Sequence, residues 1–283
     1  FKHGAIRSFA RHSRMGYTQM SSADQVREDF MNNIAYLRKI GFKRISLKTG
    51  SYGMEALAMA IKFASDAKLD LLTVDGSGGG TGMSPWNMME SWGVPSILLH
   101  SKAHEYATVL ANAGTKVVDM AFGGGISRED LMFKALALGA PYTKLICMGR
   151  ALMIPGFLGS NIEGALNPDR KAKVCGNWDK LPESFKEYGY TAQEIFAGYY
   201  DVEKKVGKEE MKNIPYGAIA MWTCADKLNA GLQQLMAGAR KFTTAGISRE
   251  DIASGNRETE KETKIPFITD VQNESAYKIL TAK

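Results

Sequence analysis

Cysteine is scarce in this chain: Cys147, Cys175 and Cys224 are its only three in 283 residues. An odd number at such wide spacing builds neither a disulfide framework nor a CxxC zinc or redox site, which fits a reducing, cytoplasmic setting. Long apolar runs are missing as well. No stretch of 18 or more uncharged apolar residues occurs, so no membrane span is expected. The start, Phe1-Lys2-His3-Gly4, has neither a signal-peptide hydrophobic run nor an initiator Met, and a processed or incomplete chain is expected from it. Charge of one sign is barely in excess, 36 Lys plus Arg against 30 Asp plus Glu, with no basic run of five or six. A nucleic-acid partner is therefore not expected, and the surplus favours anionic small ligands at most. A GxxxxGK phosphate loop is absent, and no GxGxxG follows a strand, so P-loop hydrolysis and a Rossmann dinucleotide site are unsupported.

What is present is ordinary globular usage, 45% hydrophobic and 23% charged, which excludes disordered and collagenous classes. From residue 43 onward, short aliphatic runs alternate with helical patterns, the signature of βα units on a parallel sheet. Strands are expected at Arg44–Lys48, Leu71–Asp75, Ser96–Leu99, Val117–Ala121 and Leu145–Met148. Helices are expected at Asp24–Ile40, with Val26, Phe30, Ile34 and Leu37 on one face, at Met54–Ala67, and at Ser127–Gly139 behind a Ser cap. Residues 167 to 212 are polar and charged, 217 to 242 read as one long helix, and 243 to 283 are weakly periodic.

Three glycine clusters stand at strand ends. Asp75-Gly76-Ser77-Gly78-Gly79-Gly80-Thr81-Gly82 places five glycines in eight positions, each costing about 0.5 to 1 kcal/mol against Ala, so the backbone there is expected to approach something closely. Gly123-Gly124-Gly125 and Gly149-Arg150 end the last two strands, and such a pair offers an anion pocket of backbone N–H groups completed by a helix N-terminus. Lys48 closes its strand. Its ammonium suits an anionic reduced flavin or a substrate carboxylate, or is a plain exposed strand-end lysine. His100 and His104, two of four histidines, are four residues apart, but no third ligand stands at metal spacing, and a structural hydrogen bond is the expected role. Trp86, Trp92, Met83, Met88 and Met89 are expected in the core.

In order and spacing, Asp75 to Ser84, Pro95 to His104 and the run from Gly124 to Gly149 resemble the FMN-binding synthase domain of glutamate synthases. The chain as a whole, including the segment at 231 to 242, is similar to stand-alone FMN-binding proteins of that family over about residues 24 to 270. The resemblance implies an FMN-dependent (β/α)8 TIM-type barrel with the flavin at the C-terminal face. It implies Lys48 and His104 as catalytic residues. Flavin contacts fall to Lys48, Asp75, Gly79, Gly80, Gly124, Gly125, Gly149 and Arg150, and the substrate lies along Gly80, Thr81 and Gly82. The implied chemistry is reductive amination of a 2-oxo acid, 2-oxoglutarate with ammonia or an amine, at the expense of reduced FMN.

The chain departs from the family at three places. The cysteines that hold a three-iron cluster shortly after the last barrel strand have no counterpart between Met148 and Val174, so no iron-sulfur cluster is expected and an electron-donor protein or subunit is. The family's His-Asp pair in the glycine loop is replaced by Ser77-Gly78, and the aspartate before the phosphate glycines by Gly123. A glutaminase part with its catalytic cysteine is also lacking, so the amine comes from solution or a partner. Two other readings compete. One is a 2-hydroxy-acid oxidase type of flavoenzyme, against which no Arg and His pair precedes the phosphate glycines. The other is a flavin-binding structural or electron-relay subunit of a larger complex.

The expected organisation is the C-terminal part of the barrel over 1–166 and a mostly helical extension over 167–283. Five βα units between residues 43 and 153 fall three short of a closed barrel. At least about 100 further residues on the N-terminal side, or strands from a partner in an oligomer, are expected to complete it.

Overall fold

The structure is a computed structural model and describes residues 23–51, 53–77, 93–171 and 178–282. The substrate-loop residues Gly79, Gly80, Thr81 and Gly82 lie outside the described residues, as do Met83, Trp86, Met88, Met89, Trp92 and Cys175. Two compact units are present, one of residues 1–126, 131–147 and 238–283, the other of 127–130 and 148–237.

The first unit is α/β. Its elements in chain order are α1 (Ala23–Lys39), β1 (Ser46–Thr49), α2 (Met54–Asp66), β2 (Leu71–Asp75), α3 (Ser96–Asn112), β3 (Met120–Gly123), α4 (Glu129–Gly139) and β4 (Thr143–Cys147). The four strands are parallel and lie in sequential order β1-β2-β3-β4. Sequential order with right-handed crossovers puts every crossover helix on one face, whereas a doubly wound sheet reverses order at a switch point. The arrangement is compatible with a TIM-type fold.

Register decides what each sheet face carries, because paired residues of parallel strands point the same way and neighbours along a strand alternate. Leu72, Val74, Met120 and Phe122 fall on one face and are fully buried. They pack with Leu57, Ile61 and Ala64 of α2, Leu99, Ala103 and Ala107 of α3, and Phe30 and Ile34 of α1. Burying one such aliphatic side chain is worth about 1.5 to 3 kcal/mol, and these rows make the core. The opposite face carries Lys48, Asp75, Gly123 and Cys147 towards the strand C-termini and leaves Lys48, Leu145 and Cys147 exposed.

One expected strand is a helix. Ser96–Leu99 is the first turn of α3, entered from Pro95, so the sheet holds four strands and β2 connects to β3 through that helix. A four-residue apolar run cannot separate strand from helix by itself. The longer i, i+4, i+8 series Leu99, Ala103, Ala107 is what the core buries. Strand β2 has its expected bounds, and the other strand boundaries shift by one to three residues: β1 ends at Thr49 rather than Lys48, and β3 begins at Met120 rather than Val117. Helices α1 and α2 match expectation within a residue at each end, and α4 starts at Glu129 rather than Ser127.

The tail returns to this unit. Beyond two 3-10 turns it forms α11 (Arg257–Thr263) and α12 (Asn273–Thr281). Arg249 donates from Nη1 to Leu138 O at 2.6 Å and from Nη2 to Thr263 O at 2.5 Å, joining the C-terminal turns of α4 and α11. Ser101 Oγ of α3 donates to Thr263 O at 3.3 Å, and the buried Ser254 Oγ to Ile265 O at 2.8 Å.

The second unit is helical: α5 (Arg150–Leu166), α6 (Glu183–Lys186), α7 (Ala192–Ile195), α8 (Tyr199–Val206), α9 (Lys208–Met211) and α10 (Tyr216–Gly238). The long helix expected at 217–242 is α10. Glycines let α5 and α10 meet backbone to backbone. A Cβ on Gly159 would stand 2.5 Å from Tyr216 O, and one on Gly217 2.7 Å from Gly156 O. Ile162 and Ile219 are buried there, together with Leu181, Phe196 and Met211. Beside them the buried Glu163 accepts the Tyr216 N–H at 3.1 Å and pairs with Arg170 Nε at 3.0 Å. Glu163→Ala removes a charged acceptor from the start of α10 and is expected to lower stability by about 2 kcal/mol in urea unfolding. A change below about 0.5 kcal/mol would show the carboxylate to be idle.

Among the described residues, no helix is long and apolar enough to cross a membrane.

Candidate functional site

Parallel strands present chemistry at their C-terminal ends, and in the first unit that edge is assembled from four segments. Lys48 of β1 and Asp75 of β2 lie on the same sheet face, and Lys48 Nζ meets Asp75 Oδ2 at 2.6 Å. The carboxylate is buried while the lysine side chain is 46% exposed, so a screened ammonium is held in place by a fixed counter-charge. Both residues were singled out from sequence, and the structure brings them together.

Gly123 pairs in register with Asp75 on one side and Cys147 on the other. A Cβ there would stand 3.2 Å from both Asp75 Oδ1 and Cys147 Cβ. The neighbouring carboxylate and thiol thus close in on Gly123, which leaves no room for a side chain between them. Gly124 and Gly125 follow with φ of +114° and +74°, a backbone path that L side chains rarely take. Gly124 is also crowded. Its Cβ would stand 2.3 Å from Ser96 Oγ and under 3 Å from the backbone of Gly76. The chain runs on into α4, whose first turn carries Glu129 and Asp130, the latter paired with Arg128 at 3.1 Å. The positive end of that helix dipole is thus met by its own carboxylates, and the glycine backbone is the part of this segment suited to an anion.

The segment 94–96 knits these ends together. Val94 N–H donates to Ser51 O at 3.1 Å, Ser77 N–H to Val94 O at 2.9 Å, and Gly76 N–H to Gly123 O at 2.9 Å. Gly149 and Arg150 belong to the second unit, where Gly149 caps α5 and Arg150 opens it. A Cβ on Gly149 would meet open space.

The structure does not bring His104 to Lys48. Helix α3 starts at the strand C-terminal edge and runs the other way, so His104, eight residues past Ser96, is about 12 Å further along. Its ring lies 5.7 Å from that of Tyr142, just before β4 begins, and it hydrogen-bonds the Ala140 backbone. Burial, then the charge of Arg249, holds its pKa down at about 4.

His100 is the histidine that reaches the edge. Its ring stacks on Phe122 at 4.0 Å and 11°, and Nε2 donates to Val74 O at 3.2 Å. It is 3% exposed, and burial lowers its pKa to about 4 against the opposing pull of the Val74 and Gly123 backbone and of Asp75. The structural hydrogen bond expected for these histidines is thus found at His100, one turn behind Ser96 on α3. Among the described residues, no three His, Cys, Asp or Glu side chains are grouped to hold a metal.

Comparison with known proteins agrees with the direction of this geometry. The model of the conserved region in glutamate synthase matches residues 8–155, just over half of the chain and all four strands. No curated protein matches. The span of the match, together with the parallel sheet and its glycine-lined edge, makes the chain a member of the glutamate synthase family.

Proposed function

We propose that this chain is the catalytic part of an FMN-dependent glutamate-synthase-like oxidoreductase that reductively aminates a 2-oxo acid, 2-oxoglutarate with ammonia or an amine. The observation that carries the reading is the Lys48–Asp75 pair beside a glycine turn on the sheet face that the helices leave uncovered. That edge fits a phosphorylated cofactor: Gly124 and Gly125 offer backbone to an anion, and Lys48 offers a cation. When bound, FMN supplies the electron pair, transferred as hydride, that reduces the imine of the 2-oxo acid to the amino acid.

The chain's own residues do the rest. Asp75 fixes the Lys48 ammonium, which stabilises negative charge gathering beside it. Gly124 and Gly125 hold the phosphate; the same role for Gly149 and Arg150 is proposed only on their resemblance to the family's motif. Gly79, Gly80, Thr81 and Gly82 are proposed on the same basis to face flavin and substrate. His104, among Tyr142, Ala140 and Arg249, fits a supporting role better than direct contact with the reacting atoms. The sequential parallel order and the exposed Leu145 and Cys147 support a barrel closed by further strands.

The test is cofactor extraction from the complete native assembly, followed by photoreduction and mixing with 2-oxoglutarate and ammonium. FMN by mass and glutamate as product are expected; FAD, or no flavin, overturns the reading. Reduced flavin that 2-oxoglutarate and ammonium leave unchanged would favour an electron-relay subunit. Lys48→Met is expected to retain the fold and slow flavin reduction about tenfold, some 1.4 kcal/mol of barrier. An unchanged rate and reduction potential would place Lys48 outside the reaction.

A further inference from the structure

Helix α3 carries two side chains, one turn apart, that each join the ends of β2 and β3. Ser96 Oγ stands 2.9 Å from Ser77 O and 2.8 Å from Gly124 O, sharing its single proton between two carbonyls that belong to different strand ends. One turn further on, His100 donates to Val74 O of β2 and stacks on Phe122 of β3 with ring centroids 4.0 Å apart. The fit round Ser96 is close enough to dictate its neighbours. A Cβ on either Gly76 or Gly124 would come within 2.3 Å of its Oγ, so both positions are glycine where the hydroxyl enters. Without these side chains, the Gly76 N–H to Gly123 O bond is the direct backbone tie between the two turns.

We infer that Ser96 and His100 are positioning residues, a two-rung brace by which α3 sets the Gly123–Gly125 turn against Asp75 and so presents its backbone to the phosphate of the cofactor. The proposal rests on the reading of that turn as a phosphate site. His100 suits the task because a buried imidazole stacked on Phe122 has one ring position and so holds the Val74 carbonyl of β2 against β3. Neither residue touches the reacting atoms. Their effect passes through Gly124 and Asp75.

The experiment has two arms, on the full assembly carrying Ser96→Ala, His100→Leu or His100→Gln. In the first arm, without any ligand, hydrogen exchange is followed at the amides of residues 124–126 and at those of α2. Ser96→Ala and His100→Leu are expected to speed exchange at 124–126 at least tenfold and leave α2 within twofold. In the second arm, FMN is titrated into the apoprotein. Both variants are expected to weaken binding at least tenfold, and His100→Gln, which keeps a side-chain donor, to recover to within threefold of wild type. Equal exchange in all proteins, or a uniform rise that includes α2, overturns the brace. Failure of His100→Gln to recover while His100→Leu weakens binding overturns the hydrogen bond as its cause. Absence of FMN binding in the wild type overturns the cofactor reading instead, and the exchange arm still decides whether Ser96 and His100 hold the turn.

Discussion

Gly124→Ala is expected to lower stability by about 3 kcal/mol or more, although it adds a single methyl group. Two independent costs add. The residue sits at φ +114°, where an L side chain is strained by about 1 to 3 kcal/mol. The new Cβ would also stand 2.3 Å from Ser96 Oγ, 2.7 Å from Gly76 N and 2.8 Å from Gly76 O. A serine can rotate away, but a backbone amide and carbonyl cannot, and overpacking of this kind costs about 1 to 3 kcal/mol. Urea unfolding of the apoprotein measures it. Gly149→Ala is the comparison, since its Cβ enters open space at a negative φ and should cost under about 1 kcal/mol. Equal losses for the two variants would mean that the edge is far more pliant than its contacts imply.

Acid is expected to destabilise the first unit from about pH 6.5 downward, beginning above the range in which carboxylates titrate. His100 has an ordinary pKa of 6.5 and is held at about 4 in the folded protein, chiefly by burial. Between those values the unfolded chain binds a proton that the native chain does not, so stability is full above about pH 6.5 and falls as pH drops towards 4. For His100 the loss amounts to about 3 kcal/mol. His104, lowered to about 4 by burial and Arg249 against the pull of Glu105, acts in the same direction. Among the described residues, the charged side chain opposing the shift at His100 is Asp75, which Lys48 already engages. Glu260 and Asp270, held below their usual range by Arg257, lose their contribution only at still lower pH. Denaturant midpoints at pH 7 and 4.5 should therefore differ strongly, and His100→Gln should flatten the slope. Equal stability at the two pH values in the wild type would sink the assignment of buried, neutral histidines.

Where the sequence pattern is long and periodic, it could be read. Helices α1, α2 and α10 each repeat apolar residues over several turns, and their limits were expected closely. The glycine turn at 123–125 was legible for a different reason, since consecutive glycines at a strand end pay entropy only where the backbone needs positive φ. Lys48 and Asp75 were each noticed as strand-end residues, but nothing in either segment announces that they are partners. That follows from β1 and β2 being neighbours in register, a long-range fact. Ser96–Leu99 misled because Ile97, Leu98 and Leu99 suit a buried strand locally, and the decision for helix is made by Leu99, Ala103 and Ala107 packing on the sheet. The structural hydrogen bond expected of the two histidines is made by His100 to Val74 O, whereas His104, assigned to the site by resemblance, lies away from Lys48.

The return of the tail to α3 and α4 bears on how the protein is made. The sheet of the first unit ends at Cys147, yet Arg249, whose guanidinium joins Leu138 O to Thr263 O, is synthesised about one hundred residues later. At ordinary translation rates that interval is roughly 5 to 20 s. Throughout it the nascent sheet layer has its helices but not its clasp, with the carbonyl end of α4 and the Ser101 face of α3 still unclaimed. The helical unit of residues 148–237 is an insertion in time as well as in sequence, and the α/β unit gains its clasp only once residues 249–263 have left the ribosome.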